Sequence, residues 1–427
     1  MTDRGTHKYL ARYAEPEARL AEAVAGTWAR ALCVPACGEQ ETLLDGFREA
    51  AHRAPGRTLV ILVVNAPADA PESMHAQNRR LLDAIGGAGL HADRAFDVWV
   101  VDRASPEHRL PAKQGVGLAR RIACDLALAL RARDRLTDRF CYCTDADVTL
   151  PRDYFERAAG APSDVSAVVF PFWHVPSGER ELDRATALYE VSLRYYVLGL
   201  GHARSPYALH TLGSALAVDF TAYAAVRGVP RRAAGEDFHL LAKLLKVAPV
   251  WRADGKSDPV RIVARHSSRV PFGTGAGVAK LTAGAPLDLY HPQIFDILRE
   301  LLDALDAFAI DRDLPRLLER VRRSSAVVEA TLREWDAERT LGELARQAPS
   351  ADHLERRVHE WLDALRTLKL VHALRAQSHP SPRYDQALRQ ARFVGTDLSD
   401  LDRLRHAVFA GEPSGLVGPT LSRKVQA

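Results

Sequence analysis

The sequence predicts an α/β fold, a mostly parallel sheet with helices on both faces, followed by an all-helical C-terminal region. Three observations point there. Short apolar runs alternate with amphipathic stretches at a regular cadence through the first 150 residues. One run, Thr58–Asn65, is apolar almost throughout, as a strand covered on both faces must be. From about His291 onward the apolar spacing is helical only, with Leu and Ala set among Arg, Glu and Asp.

Residues 8–30 carry apolar side chains at helical spacing and read as a helix. Ala31–Val34 is a short strand. Glu39–Ala54 is a helix with Leu43, Leu44, Phe47 and Ala50 on one face. Thr58–Asn65, Phe96–Asp102 and Phe140–Asp145 are strands, with Glu72–Ile85 and Gln114–Arg133 as the helices between them. Later candidates are strands at Val165–Phe172, Ser214–Val218 and Val260–Ala264. Helices are expected at Leu182–Leu200, Phe220–Val226 and Glu236–Lys246, and a flexible loop at 272–277. The C-terminal helices are read as Ile294–Phe308, Leu314–Trp335, His353–Leu374 and Tyr384–Phe393, punctuated by prolines. The domain boundaries expected from this pattern are a helical extension at 1–28, an α/β domain at 29–285 and a helical domain at 286–427.

Composition narrows the function. The chain has 427 residues, 47% hydrophobic and 26% charged, which is globular and too long for a single small core. The net charge of +4 gives no case for wrapping nucleic acid, so no nucleic-acid partner is expected. Of 58 basic residues, 50 are Arg and 8 are Lys, read as a genomic bias with anion recognition as the sharper alternative. The start, Met1–Lys8, has charges and no apolar core, and no run of about 18 apolar residues follows. The expectation is a cytoplasmic protein without a transmembrane segment, peripheral membrane contact staying open. Five cysteines in odd number argue against a disulfide framework; Cys33/Cys37 and Cys141/Cys143 lack the usual zinc spacing and read as buried strand residues.

In an open α/β sheet, ligands sit beyond the carboxyl ends of the strands. Asp145-Ala146-Asp147 stands at such an end. Two carboxylates at i and i+2 can hold Mg²⁺ or Mn²⁺ against a diphosphate, or merely cap the next helix. Glu236 and Asp237 open a helix; they are dipole-pairing acids or a general base. Lys113-Gln114-Gly115-Val116-Gly117, followed by Arg120, puts glycines and cations at a helix start, which suits phosphate contacts. It follows the third strand, so it is not the dinucleotide fingerprint. His266 is a structural histidine or a further metal ligand, and Arg269 beside it is a candidate substrate contact. Walker A, H-E-x-x-H and G-x-S-x-G are all absent, which counts against P-loop NTPases, zincins and serine hydrolases.

In order and context these motifs resemble a GT-A-fold glycosyltransferase of family 2. The stretches that carry the resemblance are Val34-Pro35-Ala36-Cys37-Gly38-Glu39, Lys113 to Arg120, Asp145-Ala146-Asp147, Gly213-Ser214 before Ala215–Val218, and Gly235-Glu236-Asp237, spanning about residues 28–280. The resemblance implies a Rossmann-like sheet and a nucleotide-sugar donor. It implies that Pro35 and Glu39 line the nucleotide pocket, that Asn65 contacts base or ribose, that Asp145 and Asp147 hold the metal, and that Asp237 is the base. Its acceptor side starts at Gly213 and Ser214, and Arg194, Tyr195 and His210 flank it as further acceptor candidates. The family's Tyr-Asn before the Glu is here Cys37-Gly38, and its Asp at the second strand's end is Asn65. The Q-x-x-R-W element of processive synthases is absent, which implies single transfer. Inversion is expected, with retention open if His266 completes the metal shell. The alternatives are a non-catalytic nucleotide-sugar-binding member of the fold, or a nucleotidyltransferase, which would start with a Gly-rich loop after the first strand. The acceptor, sugar and nucleotide are not read from the sequence.

Overall fold

β-Branched and apolar residues concentrate in runs short enough to be strands, and those runs become a sheet with no solvent-facing side at its centre. The computed structural model describes residues 4–232, 234–266, 273–394 and 400–419. In chain order the strands are β1 (Arg30–Ala36), β2 (Thr58–Asn65), β3 (Gly89–Ala92), β4 (Asp97–Arg103), β5 (Phe140–Cys143), β6 (Val148–Thr149), β7 (Ala167–Val169), β8 (Phe172–Val175), β9 (Leu216–Asp219), β10 (Val250–Arg252) and β11 (Val260–Val263). The helices are α1 (Arg4–Arg12), α2 (Asp45–Arg53), α3 (Glu72–Ile85), α4 (Val116–Arg131), α5 (Tyr154–Ala159), α6 (Arg180–His202), α7 (Phe220–Ala225), α8 (Glu236–Leu244) and α9 (Thr274–Thr282). They continue with α10 (Gln293–Asp311), α11 (Leu314–Ser324), α12 (Ala326–Glu334), α13 (Ala337–Gln347), α14 (Ala351–Trp361), α15 (Ala364–Gln377), α16 (Tyr384–Gln390) and α17 (Leu401–Ala410).

The described chain divides into two units: Met1–Glu179 with Thr211–Ala276, and Arg180–His210 with Gly277–Ala427. In the first, the sheet runs β10-β7-β9-β5-β1-β2-β4-β3. β1 pairs in parallel with β2 and β5, and β2 with β4; β9 runs antiparallel between β5 and β7, and β3 antiparallel at the edge. Every residue of β1 and β2 is buried. A small second sheet, β6-β11-β8, pairs Ile262 with Val148 and His174. The mixed, largely parallel sheet with flanking helices is the α/β architecture expected.

The N-terminal stretch is not the single helix read over 8–30. It breaks at Glu15-Pro16 into α1 and a 3-10 turn, Pro16–Glu22, because proline cannot continue a helix without losing a backbone bond. Tyr9 anchors it: its hydroxyl donates to Asp125 Oδ1 of α4 at 2.6 Å, and Tyr223 donates to the same oxygen at 2.7 Å.

The second unit buries one apolar stripe of α6 (Val191, Tyr195, Leu198) against Ile294, Phe295 and Leu298 of α10. The composition change near 285 therefore does not mark where this unit begins, because Arg180–His210 packs with it. Ser325 caps α12 through Val328 N and Asp363 caps α15 through Arg366 N, so the two long helices read at Leu314–Trp335 and His353–Leu374 are each broken in two. The loop read at 272–277 lies partly outside the described residues, and from Thr274 it is the start of α9.

Candidate active site

Strand β5 ends at Cys143, and the chain turns through Thr144, whose hydroxyl donates to Ser214 O at 2.9 Å. That bond clamps the Asp145–Asp147 turn beside the segment entering β9. Two arginines then hold the turn. Arg120, on α4 and 2% exposed, donates from Nη2 to Asp145 Oδ1 (2.8 Å) and from Nη1 to Gly213 O (2.8 Å), and its Nε faces Glu236 Oε1 at 3.3 Å. Arg265 spans from Asp147 Oδ2 (2.7 Å) to Glu39 Oε1 (2.9 Å). The small sheet makes this second bridge: β6 starts one residue after Asp147, β11 ends two residues before Arg265, and Val263 N donates to Asp147 O.

Among the described residues four carboxylates of this cluster (Glu39, Asp145, Asp147, Glu236) share these two guanidinium groups. Burial pushes the Asp147 carboxyl up to about 6; Arg265 opposes the rise, and the charges of Asp145 and Glu39 add to it. Hard oxygen donors are what a divalent cation of the Mg²⁺ or Mn²⁺ class takes, although among the described residues these carboxylates form no close set of three. Asp237 opens α8. Its Oδ2 accepts from Gly213 N at 3.0 Å and its Oδ1 from Phe238 N at 2.7 Å. Burial and the neighbouring Glu236 charge raise its pKa to about 7, against those hydrogen bonds and Arg120.

Comparison with known proteins adds little. No family model matches the chain, and no curated protein matches it. Among solved structures it is similar to the mannosyltransferase PcManGT of Pyrobaculum calidifontis, solved with GDP-Man and Mn²⁺, at 18% identity and a TM-score of 0.34, over 85% of this chain and 94% of that one. It is also similar to a mycobacterial protein at 17% identity and a TM-score of 0.28, over 65% of this chain and 81% of that one. Likenesses this distant assign neither family nor function.

The structure brings Glu39, Arg120, Asp145, Asp147, Gly213, Ser214, Glu236 and Asp237 together, and it revises several individual roles. Arg120 is spent on three protein partners and positions the site rather than reaching a ligand. Glu236, 5% exposed, faces Arg120 from the start of α8. Gly117 lacks a side chain to admit protein backbone: a Cβ there would stand 2.4 Å from Arg232 O. Asn65 is buried, and its amide donates to Ala36 O and Val63 O. Pro35 is buried in β1 opposite Val63. Lys113 is exposed with φ 63°, and its amide donates to Asp69 Oδ1.

Four readings move away. Arg194 and His210 belong to the helical unit. Arg194, fully buried, pairs there with Glu190 (3.1 Å) and Glu412 (2.6 Å) and lies over the Phe409 ring, while His210 meets Glu412 at 2.6 Å. Tyr195, in the same helix, donates to Tyr290 O. His266 is exposed on Glu179 at 3.3 Å, and among the described residues it forms no close ligand set with Asp145 and Asp147. Arg269 lies outside the described residues.

Sequence reading missed Arg265 and Asn78. A cation directly after the apolar run Val260–Ala264 was the available signal for the first. Asn78 accepts from Gly38 N (2.7 Å) and donates to Asn65 O (2.9 Å), tying the loop after β1 to α3; nothing local in the sequence announces it.

Proposed function

We propose that the α/β unit is a metal-dependent glycosyltransferase, moving a sugar from a nucleotide-sugar donor to an acceptor hydroxyl in a single inverting transfer. The observation that carries this is the carboxylate cluster beyond the strand ends, Asp145 and Asp147 each held by an arginine, with a raised-pKa carboxylate, Asp237, beside it. The motif order resembling family 2 points the same way.

Asp145 and Asp147, with Glu39 nearby, are the residues that would hold Mg²⁺ or Mn²⁺. Bound there, the cation supplies charge neutralisation for a departing diphosphate. Arg120 fixes Asp145 from below, and Arg265 adds a cation on the Glu39 side. Asp237, locked by two backbone N–H groups, accepts the acceptor's hydroxyl proton as that oxygen attacks the anomeric carbon.

The test is a panel of nucleotide-sugars with Mn²⁺ or Mg²⁺, followed by thermal shift and by release of the nucleoside diphosphate. A cognate donor raises the melting temperature only with the metal present, and Asp147→Ala abolishes both shift and turnover. Full activity in that variant refutes the metal assignment.

A further inference from the structure

Only five cysteines occur in the chain, and four of them meet at one point in the core. Cys141 and Cys143 are two apart on β5 and so lie on one face of the sheet. Cys33 of β1 stands directly opposite Cys143 in the parallel register, on that same face. Helix α4 packs against β1 and β5 and brings Cys124 down onto the three. The sulfurs of Cys33 and Cys141 are 3.4 Å apart, and those of Cys124 and Cys143 are 3.5 Å apart. The sulfurs of Cys33, Cys124 and Cys141 all lie within 4.8 Å of one another. All four residues are essentially without exposure, at 0–1%. Cys37 stands apart, against Met74 Sδ.

These spacings decide between the roles a thiol can play. A disulfide needs about 2.05 Å between sulfurs. Four thiolates around a tetrahedral zinc at about 2.3 Å have sulfur–sulfur edges of about 3.8 Å. The Cys33–Cys141 and Cys124–Cys143 separations sit near that edge length, Cys124 also lies close to Cys33 and Cys141, and Cys143 joins the group through Cys124. Core packing alone asks for apolar volume of any kind, and gives no reason to gather four of five cysteines at one spot.

We propose that Cys33, Cys124, Cys141 and Cys143 form a closed, structural four-thiolate site for a thiophilic metal ion of the zinc class. Binding releases four thiol protons and forms four metal–sulfur bonds, leaving a complex with two negative charges. Arg120, one turn before Cys124 on α4 and close enough to Cys143 to feel its charge, supplies a neighbouring cation. With no open position and no solvent path, the ion takes no part in turnover; it pins α4 to β1 and β5 directly beneath the Asp145 turn. The site loads as the chain folds, since the ligands converge only in the native state.

The full-length protein, expressed with zinc in the medium, is dialysed against a chelator and analysed by elemental mass spectrometry. One zinc per chain is expected to survive dialysis and to leave only on addition of denaturant. The paired variant Asp145→Ala/Asp147→Ala keeps that zinc, which separates this site from the proposed catalytic cation and leaves the result independent of whether the protein transfers sugars. Cys124→Ser, or Cys141→Ser with Cys143→Ser, lowers it from one equivalent to none. Refolding the unsubstituted chain with Co²⁺ gives sulfur-to-cobalt charge-transfer bands. A folded, metal-free chain whose four thiols all react in denaturant overturns the proposal, and so does a chain holding these sulfurs as two disulfides.

Discussion

The guanidinium of Arg120 meets the carboxylate of Asp145 at 2.8 Å with 2% of the arginine side chain exposed and 37% of the aspartate. One end of the pair is sealed in the core and the other opens to the site. The aspartate is thereby aimed by a group that no ligand can displace. Replacing Arg120 with Met removes that aim and leaves Glu236 buried without its cation. Breaking a buried pair from one side costs about 3–5 kcal/mol, so denaturant unfolding at neutral pH should lose about that much. Mn²⁺ affinity should fall with it.

As the base of the proposed transfer, Asp237, raised by burial to about 7, has to be ionised to work. Turnover is therefore expected to fall about tenfold for each pH unit below about 7 and to level off above it. Asp237→Asn should cut kcat by about 10²–10⁴ and flatten that acid limb, with donor affinity held. A kcat/pH profile with saturating donor, read for both forms, decides it. An unchanged acid limb in the variant would assign the titration to another group.

Stability should depend on pH in the opposite sense from a protein held by salt-bridged acids. Asp125 is raised to about 7, Asp147 to about 6 and Asp237 to about 7, burial being the first cause in each. The folded state keeps protons that the unfolded chain releases above about 4. Unfolding free energy then falls as pH rises from about 4 to about 7, because the native state binds more protons across that window. Urea midpoints taken at half-unit steps would show the slope.

Tyr9→Phe removes one of two hydroxyls that donate to Asp125 Oδ1. A hydrogen bond to a carboxylate contributes about 1.5–3 kcal/mol, and chemical denaturation should register a loss of that order. Since Tyr223 donates to the same oxygen, the pair Tyr9→Phe/Tyr223→Phe should depart from additivity.

Gly117→Ala should destabilise by about 1–3 kcal/mol, since the added methyl would press on the carbonyls of Arg232 and Pro230. Nucleotide-sugar affinity should be nearly unaffected in the folded fraction, which a titration by calorimetry can measure.

The sequence showed most where one local cause dominates. Thr58–Asn65 and Glu72–Ile85 were legible to the residue, because an apolar run and an amphipathic stretch each end at polar or glycine breaks. Gly89–Ala92 was not, being a four-residue edge strand with alternating exposure and no apolar run. The carboxylates of the site stood out by position after their strands. Their partners did not: Arg265 reaches Asp147 only because a two-residue strand pairs with one more than a hundred positions later. The assignment of Arg194 failed for a similar reason. Its helix is amphipathic for helices a hundred residues downstream, and its partner Glu412 lies 218 residues away. No window along the chain contains that relationship.

Helix α4 is buried at every position from Gly117 to Leu130. Surface helices fray from a solvent face; this one has none. Its amide hydrogens can reach water only when the sheet and its N-terminal cover come apart together. They should exchange with deuterium at the rate of global opening, as one slow block, while those of α1 exchange earlier. The segment that carries Arg120, Cys124 and Asp125 is thus the kinetic anchor of its unit, and its isotope clock reads the stability of the whole α/β unit.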